Sequence, residues 1–247
     1  MIPTTCRVMK QWRHMFGCLV VGWRGLSTGA QQQQTTFYEI RKYGIKPDKF
    51  LEFLQRTEEN IHLRTAYSHM LGYWTVDHGE LNQVVHIWPY ESYTQRTGVR
   101  TALAKDAQWM DRYILKVLPI LTWQQSEVAY LVPWASIQSP AGEGVYELVV
   151  FRMKPGGPAM WGKAFQAALT THANVSYCTL VGVFHAEFGA LNQVHVLWKH
   201  PSTDERAAGR HLAHQDGRVV AAVRESMKYI ESQSNTLLIP TSFSPMK

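Results

Sequence analysis

The feature that most constrains this chain is an internal duplication, the kind of self-similarity that decides architecture before any local pattern does. Tyr38-Glu39, followed by Lys46-Pro47, recurs as Tyr146-Glu147, followed by Lys154-Pro155. Gly79-Glu80-Leu81-Asn82-Gln83-Val84-Val85-His86-Ile87-Trp88 returns as Gly189-Ala190-Leu191-Asn192-Gln193-Val194-His195-Val196-Leu197-Trp198. Arg96, Arg100 and Asp106 fall on Arg206, Arg210 and Asp216, and Leu131-Val132-Pro133 on Leu238-Ile239-Pro240. The offset stays between 107 and 110 throughout. Two copies are too few for a solenoid, so the repeat is a duplicated domain.

Each copy predicts the same order of elements. Phe37–Tyr43 alternates and is rich in β-formers, which reads as a strand. Pro47-Asp48 opens a helix, where proline suits the first turn, and Phe50, Phe53, Leu54 and Ile61 keep an apolar stripe at helical spacing. Met70–Val76 and Leu81–Trp88 form a hairpin around the turn Asp77-His78-Gly79-Glu80. A helix over Glu91–Leu118 and a strand over Glu127–Val132 complete the copy. The second copy predicts strands at Val145–Met153, near Tyr177–Ala186, at Leu191–Lys199 and near Thr236–Ile239. Its helices follow Gly156-Gly157-Pro158 and lie within Thr203–Tyr229.

The fold expected is therefore α+β: two tandem ferredoxin-like β-α-β-β-α-β domains. Helices cover one face of each sheet and leave the other apolar face needing a partner. Two such sheets in one chain supply each other's partner and would form a closed or nearly closed barrel with an interior cavity. The boundaries expected are a leader at 1–26, a polar linker at 27–35, a first domain at 36–135, a linker at 136–144 and a second domain at 145–247.

The sequence pI is about 9.2, which would suit nucleic acid, but the distribution of charge argues against that partner. Residues 1–26 hold Arg7, Lys10, Arg13 and Arg24 and no acid. Without those four cations the formal net charge of +6 falls to +2 for residues 27–247, too little for a basic footprint. The leader itself reads as a mitochondrial transit peptide, with Arg24-Gly25-Leu26-Ser27 as a processing site that would start the mature chain at Ser27. Cytosolic retention is the alternative location. Secretion is a third reading, in which Met15–Val21 would be the apolar core of a signal. That run is too short to span a membrane. Cys6 and Cys18 would leave with the leader, and Cys178 alone cannot form an intrachain disulfide; a buried, inert thiol is expected.

Several stretches resemble the NIPSNAP family. In the first copy they are the opening Tyr38-Glu39 strand, His62-Leu63-Arg64-Thr65-Ala66, Leu71-Gly72-Tyr73-Trp74, the Leu81–Trp88 block and Leu131-Val132-Pro133-Trp134. In the second they are Gly144–Leu148, Met153–Pro158, Ala207-Ala208-Gly209-Arg210 and Leu238–Phe243. The resemblance implies a dimeric α/β-barrel fold and, for several members, association with mitochondria. It implies protein partners, autophagy factors for some members and trafficking factors for others, and self-association or pairing with relatives. It brings no settled enzymatic activity and no evident cofactor.

Candidate functional residues follow from the repeat. His86 and His195 sit in equivalent strands and could act as general bases or ligands, but they are out of register: His86 aligns with Val196 and His195 with Val85. Strand side chains alternate faces, so His86 shares a face with Trp88, while His195 lies opposite Trp198. With Tyr38 and Tyr146, these four residues are the candidates for lining a cavity that takes a flat apolar ligand. His62 and Arg64 are candidate anion contacts, or cations at a helix C-terminus. His211 and His214 share a helix face at i and i+3, which is weak support for a metal, and no metal site is expected. Asn82-Gln83 and Asn192-Gln193 read as turn chemistry. Gly156-Gly157 lacks a phosphate-loop pattern, and no nucleophile-elbow, His-Glu-x-x-His or dinucleotide motif appears.

Two functions are compatible with this reading. One is a non-enzymatic interaction or adaptor protein. The other is a small-molecule binder, for an apolar or haem-like ligand, or a cofactor-independent oxygenase that uses a barrel cavity.

Overall fold

The computed structural model describes residues 35–174 and 177–247. The expected leader, and its polar linker up to residue 34, lie outside the described residues. The first copy comprises β1 (Phe37–Ile45), α1 (Phe50–Thr65), β2 (Gly72–His78), β3 (Gln83–Tyr90), α2 (Tyr93–Lys105), α3 (residues 107–117) and β4 (Leu121–Leu131). The second comprises β5 (Val145–Met153), α4 (Gly157–Ala173), β6 (Thr179–Phe188), β7 (Gln193–His200), α5 (Thr203–Ala213), α6 (Gly217–Met227) and β8 (Ile230–Pro240).

Two expectations need correction. The second helix of each copy is two helices, broken at equivalent aspartates. Asp106 leaves the helical region and its Oδ1 accepts from the Trp109 N–H at 3.1 Å; Asp216 does the same for the Arg218 N–H at 2.8 Å. A short acceptor that caps a new first turn outcompetes continuation of the old helix. The last strand of each copy also begins six residues earlier than expected, at Leu121 and Ile230. Those leading segments pair only with β1 and β5. They are largely exposed, so they carry no alternating apolar signal.

Both sheets have the same strand order, β4-β1-β3-β2 and β8-β5-β7-β6, and they join at β2–β8 and β4–β6 into a closed eight-stranded antiparallel barrel. Closure gives the apolar inner faces the partner that the sequence demanded. The inner core includes Tyr38, Ile40, Trp74, Tyr146, Leu148 and Phe184. Trp74 lies flat against Gly72, where an added Cβ would stand 2.2 Å from the indole; its counterpart Phe184 covers Gly182 in the same way, at 2.9 Å. The C-terminal tail contributes buried Met246 to this core. It is anchored by Ser244, whose Oγ accepts from the Tyr73 N–H at 2.9 Å, and by the Tyr146 hydroxyl, which donates to the Lys247 carbonyl at 3.1 Å.

The outer faces pack under helices as two separate cores. Phe53, Tyr73, Val84, Trp88, Trp109 and Tyr113 belong to the first, and Phe151, Trp161, Phe165, Val196 and Trp198 to the second. The 136–144 linker is pinned where Lys199 Nζ donates to the carbonyls of Pro140, Ala141 and Gly142.

Candidate functional site: two pockets beneath the helices

The six candidate cavity residues do not share one cavity. Tyr38, Tyr146 and His195 point into the barrel. His86, Trp88 and Trp198 lie on the outer faces beneath the helices, the first two in copy one and the last in copy two. The alternation inferred for the two histidines holds, and it places them on opposite sides of the barrel wall. His62 and Arg64 are also separated: His62 is exposed, whereas Arg64 turns inward. There Arg64 donates to the Tyr90 hydroxyl at 2.7 Å and to Ser68 Oγ, and it covers the Trp88 ring at 4.0 Å.

Inside the barrel His195 Nε2 stands 3.1 Å from Glu127 Oε2, both side chains being almost fully buried. Burial alone would raise the Glu127 carboxyl; His195, the Ala190 N–H and Lys42 outweigh it and lower it. The pair is a buried carboxylate–imidazole contact in one half of the barrel.

Two cavities among the described residues lie outside the barrel wall, one beneath the helices of each copy. That of copy one measures about 280 Å³. Its apolar walls include Tyr73, Trp88, Leu103 and Trp109, and Met110, Tyr113 and Ile114 come from a π-turn in α3. Such turns displace side chains from helical register and recur at functional sites. Arg41, Arg64 and Arg100 also line it, and among the described residues no carboxylate does.

Three buried polar groups of this cavity lack partners: His86 Nε2, Arg41 Nε and the Tyr73 hydroxyl. His86 Nδ1 accepts the Trp88 indole N–H at 2.5 Å, which places the ring proton on Nε2. That Nε2–H has no hydrogen-bond partner, although the ring is 4% exposed and stacks on Tyr73 with centroids 4.7 Å apart. Burial above all, and then Arg41 and Arg64, hold its pKa well below the usual value, so the ring is neutral. Arg41 Nε is likewise buried without a hydrogen bond and stands 3.9 Å from Glu39 Oε1.

Copy two has a cavity of about 210 Å³, lined among others by Glu147, His172, Cys178, Trp198, His200 and Arg206. Glu147 accepts from Arg206 Nε at 3.0 Å, from Arg206 Nη2 and from the Asn235 amide, and the His200 ring lies 3.3 Å away. Burial alone would raise this carboxyl, but these donors hold it at about 2. Cys178 lies one residue before β6 rather than in it, and burial pushes its thiol up to about 12, as an inert thiol requires. His214 approaches His172, with ring centroids 6.2 Å apart, while His211 is exposed. Among the described residues no group of three or more ligating side chains could hold a metal.

The Tyr-Glu dipeptides of the repeat mark a structural pair. Glu39 accepts from Arg96 Nη2 at 2.6 Å, Arg96 Nε at 3.1 Å and Ser126 Oγ at 2.6 Å, the counterpart of Glu147 with Arg206 and Asn235. Asn82 and Asn192 adopt positive φ of 56° and 62°. Their carbonyls accept from the Ile45 and Met153 N–H groups at 2.9 and 2.7 Å, which confirms turn chemistry.

A closed barrel of two fused ferredoxin-like sheets, with its cavities between sheet and helices, defines a tandem dimeric α/β-barrel protein. A putative monooxygenase from Fusobacterium nucleatum has this fold, with a TM-score of 0.63 at 12% identity over 83% of this chain and 92% of its own. The NIPSNAP family signature matches twice, at residues 38–136 and 146–245, and the chain belongs to the NIPSNAP family. Its relatives include NipSnap homolog 3B of Mus musculus, 57% identical, and NipSnap homolog 3A of Homo sapiens, 56% identical. Each match covers 90% of this chain and 90% of the relative.

Proposed function

We propose that this chain is a non-enzymatic binding protein whose helix-covered pockets hold a small, mainly apolar molecule. The observation that carries this reading is the copy-one cavity: preformed, walled by aromatic and aliphatic side chains, and furnished with a few converging polar groups, as ligand sites are. Its chemistry favours holding over turnover. The acceptor nitrogen of His86 is occupied by the Trp88 indole and its ring resists protonation, so it cannot take a proton from a substrate. Among the described residues no nucleophile–base pair lines the cavity. The test is the absorption spectrum of purified protein, with a thermal-shift screen of haem and apolar compounds. A raised Tm for an apolar class is expected; no bound chromophore and no stabilising compound would sink the reading.

The adaptor reading has its own support. Leu81 and Leu191 stand at equivalent hairpin tips, 64% and 63% exposed, each followed by a left-handed asparagine that fixes the turn. A large apolar side chain displayed twice on rigid turns suits capture by another protein. With the family resemblance, this supports partners among autophagy or trafficking factors, at mitochondria if the leader acts as a transit peptide, or in the cytosol if it is retained. Among the described residues no helix is long and apolar enough to cross a membrane. Proximity labelling in cells with the Leu81→Ser, Leu191→Ser double variant should lose specific partners; an unchanged partner set would sink this reading. Sequencing the mature N-terminus should find Ser27, and intact Met1 in the cytosol would refute import.

A further inference from the structure

We propose that the copy-one pocket is a site for an organic oxyanion, a molecule with an apolar body and one carboxylate or phosphate head. This rests on the ligand-binding reading above and names the class of ligand.

The cavity has an apolar body and a cationic side. Arg41, Arg64 and Arg100 line it and no described carboxylate does. Glu39 is the acid nearest Arg41, but its oxygens are taken by Arg96 and Ser126. Arg64 is held by Tyr90 and Ser68, neither of them an anion, so its charge is not neutralised. Arg41 Nε and His86 Nε2 are buried donors with no acceptor in the protein. An unmade buried hydrogen bond costs about 1–3 kcal/mol, and an acceptor entering the cavity would relieve both. Three cationic side chains and the neutral His86 donor, with no carboxylate beside them, favour an anionic oxygen over a neutral or cationic group. Arginine further suits planar, two-oxygen heads.

The size and walls describe the rest of the ligand. At about 280 Å³, the cavity has room for far more than one ordered water. Tyr73, Trp88 and Trp109 would pack against an acyl chain or an aromatic ring. Exposed Leu118, together with Gln124, stands among the lining residues, so the cavity opens to solvent there.

The second copy supplies a contrast within the same chain. Repeat alignment places Val149, His172, Val196 and Arg210 where copy one has Arg41, Arg64, His86 and Arg100. Its cavity also includes the Glu147 carboxylate, which occupies Arg206 and so leaves an anion fewer free cations than in copy one. The structure therefore assigns the oxyanion to copy one.

The test uses four probes with one decyl body: decanoic acid, decyl phosphate, decan-1-ol and decylamine. Binding to the intact protein is followed by tryptophan fluorescence and calorimetry. Decanoate or decyl phosphate should bind about tenfold or more tightly than decanol, as one charge-assisted hydrogen bond implies, and the tighter of the two names the head. Arg41→Gln should bring the anion down to the affinity of decanol and leave decanol itself unchanged. Arg100→Gln, at an exposed position, should lower anion affinity in the same direction, and it carries the test if Arg41→Gln is unfolded. Equal affinity for all four probes would overturn the anion assignment and leave the ligand-binding reading standing. Binding of decanol and decylamine above the anions would overturn it too. Failure of every probe to bind would overturn both.

Discussion

The two copies share a frame and differ in what that frame encloses. Each keeps a glutamate on its first strand, an arginine on its second helix, an aspartate that breaks that helix and an asparagine in its hairpin turn. Each also leaves a cavity between sheet and helices. Yet one cavity gathers arginines and unpartnered donors around apolar walls, while the other turns its carboxylate, already satisfied, toward the space. Duplication explains why this was possible. Residues that hold helix to sheet are needed in both copies, whereas a second pocket is free to change its lining. The comparison teaches that the repeated Glu, Asp and Asn positions are the scaffold, and that Arg41, Arg64 and His86, where the copies disagree, set the site apart.

The largest effects should come from the barrel that both copies build. Trp74→Ala should destabilise by about 4 kcal/mol and Phe184→Ala by about 3 kcal/mol, the range for large aromatic truncations in a core. Urea midpoints at constant m-value would measure both. A Phe184 loss exceeding that of Trp74 would break the idea that the inner core is symmetric in role and graded by size. Next come the paired carboxylates. The Glu147 pKa of about 2 lies below the unfolded value of about 4.3. The folded carboxylate therefore contributes stability that is fully present above about pH 4.3 and is lost as pH falls through about 2. A difference of roughly two units corresponds to about 3 kcal/mol. Glu147→Gln should flatten that acid limb, and Glu39→Gln should act in the same direction, since Glu39 is also held below its usual range. An acid limb unchanged by Glu147→Gln would refute the pair.

Much of the frame was legible because duplication doubles every weak signal. The element order and the opposed faces of His86 and His195 follow from alternation and alignment alone. The early starts of β4 and β8 were not legible, because Leu121–Ser126 and Ile230–Asn235 pair with one neighbour and bury little. The helix breaks carried a signal, Asp106 aligned with Asp216, but an aspartate reads as a cap only once the chain is known to turn there. Trp88 and Trp198 were assigned to a shared cavity because sequence gives which residues share a face and not which face looks inward. Arg41 was missed for another reason: matching blocks drew attention to what the copies share, and its counterpart Val149 breaks the match.

Two smaller predictions sharpen the contrast and the likeness of the copies. The folded His86 pKa lies below its unfolded value of about 6.5. Its contribution is therefore intact above about pH 6.5 and is lost as pH falls, because only the unfolded ring takes up a proton freely. His86→Phe should make stability less pH-dependent between about pH 7 and 5, whereas Val196→Ala, at the equivalent site of copy two, should lower stability by the same amount at every pH in that range. An unaltered slope in His86→Phe would show that this ring is not the group responsible. The hairpin turns should show no contrast at all. Asn82 and Asn192 hold left-handed backbones at φ of 56° and 62°, a region that costs a residue with an ordinary Cβ about 1–2 kcal/mol. Asn82→Ala and Asn192→Ala should each lose about 1 kcal/mol, and Asn→Gly at either site should lose little or nothing. Equal losses would place the turns in the common frame. A loss at one site only would mean that the copies have diverged in their scaffold as well as in their pockets.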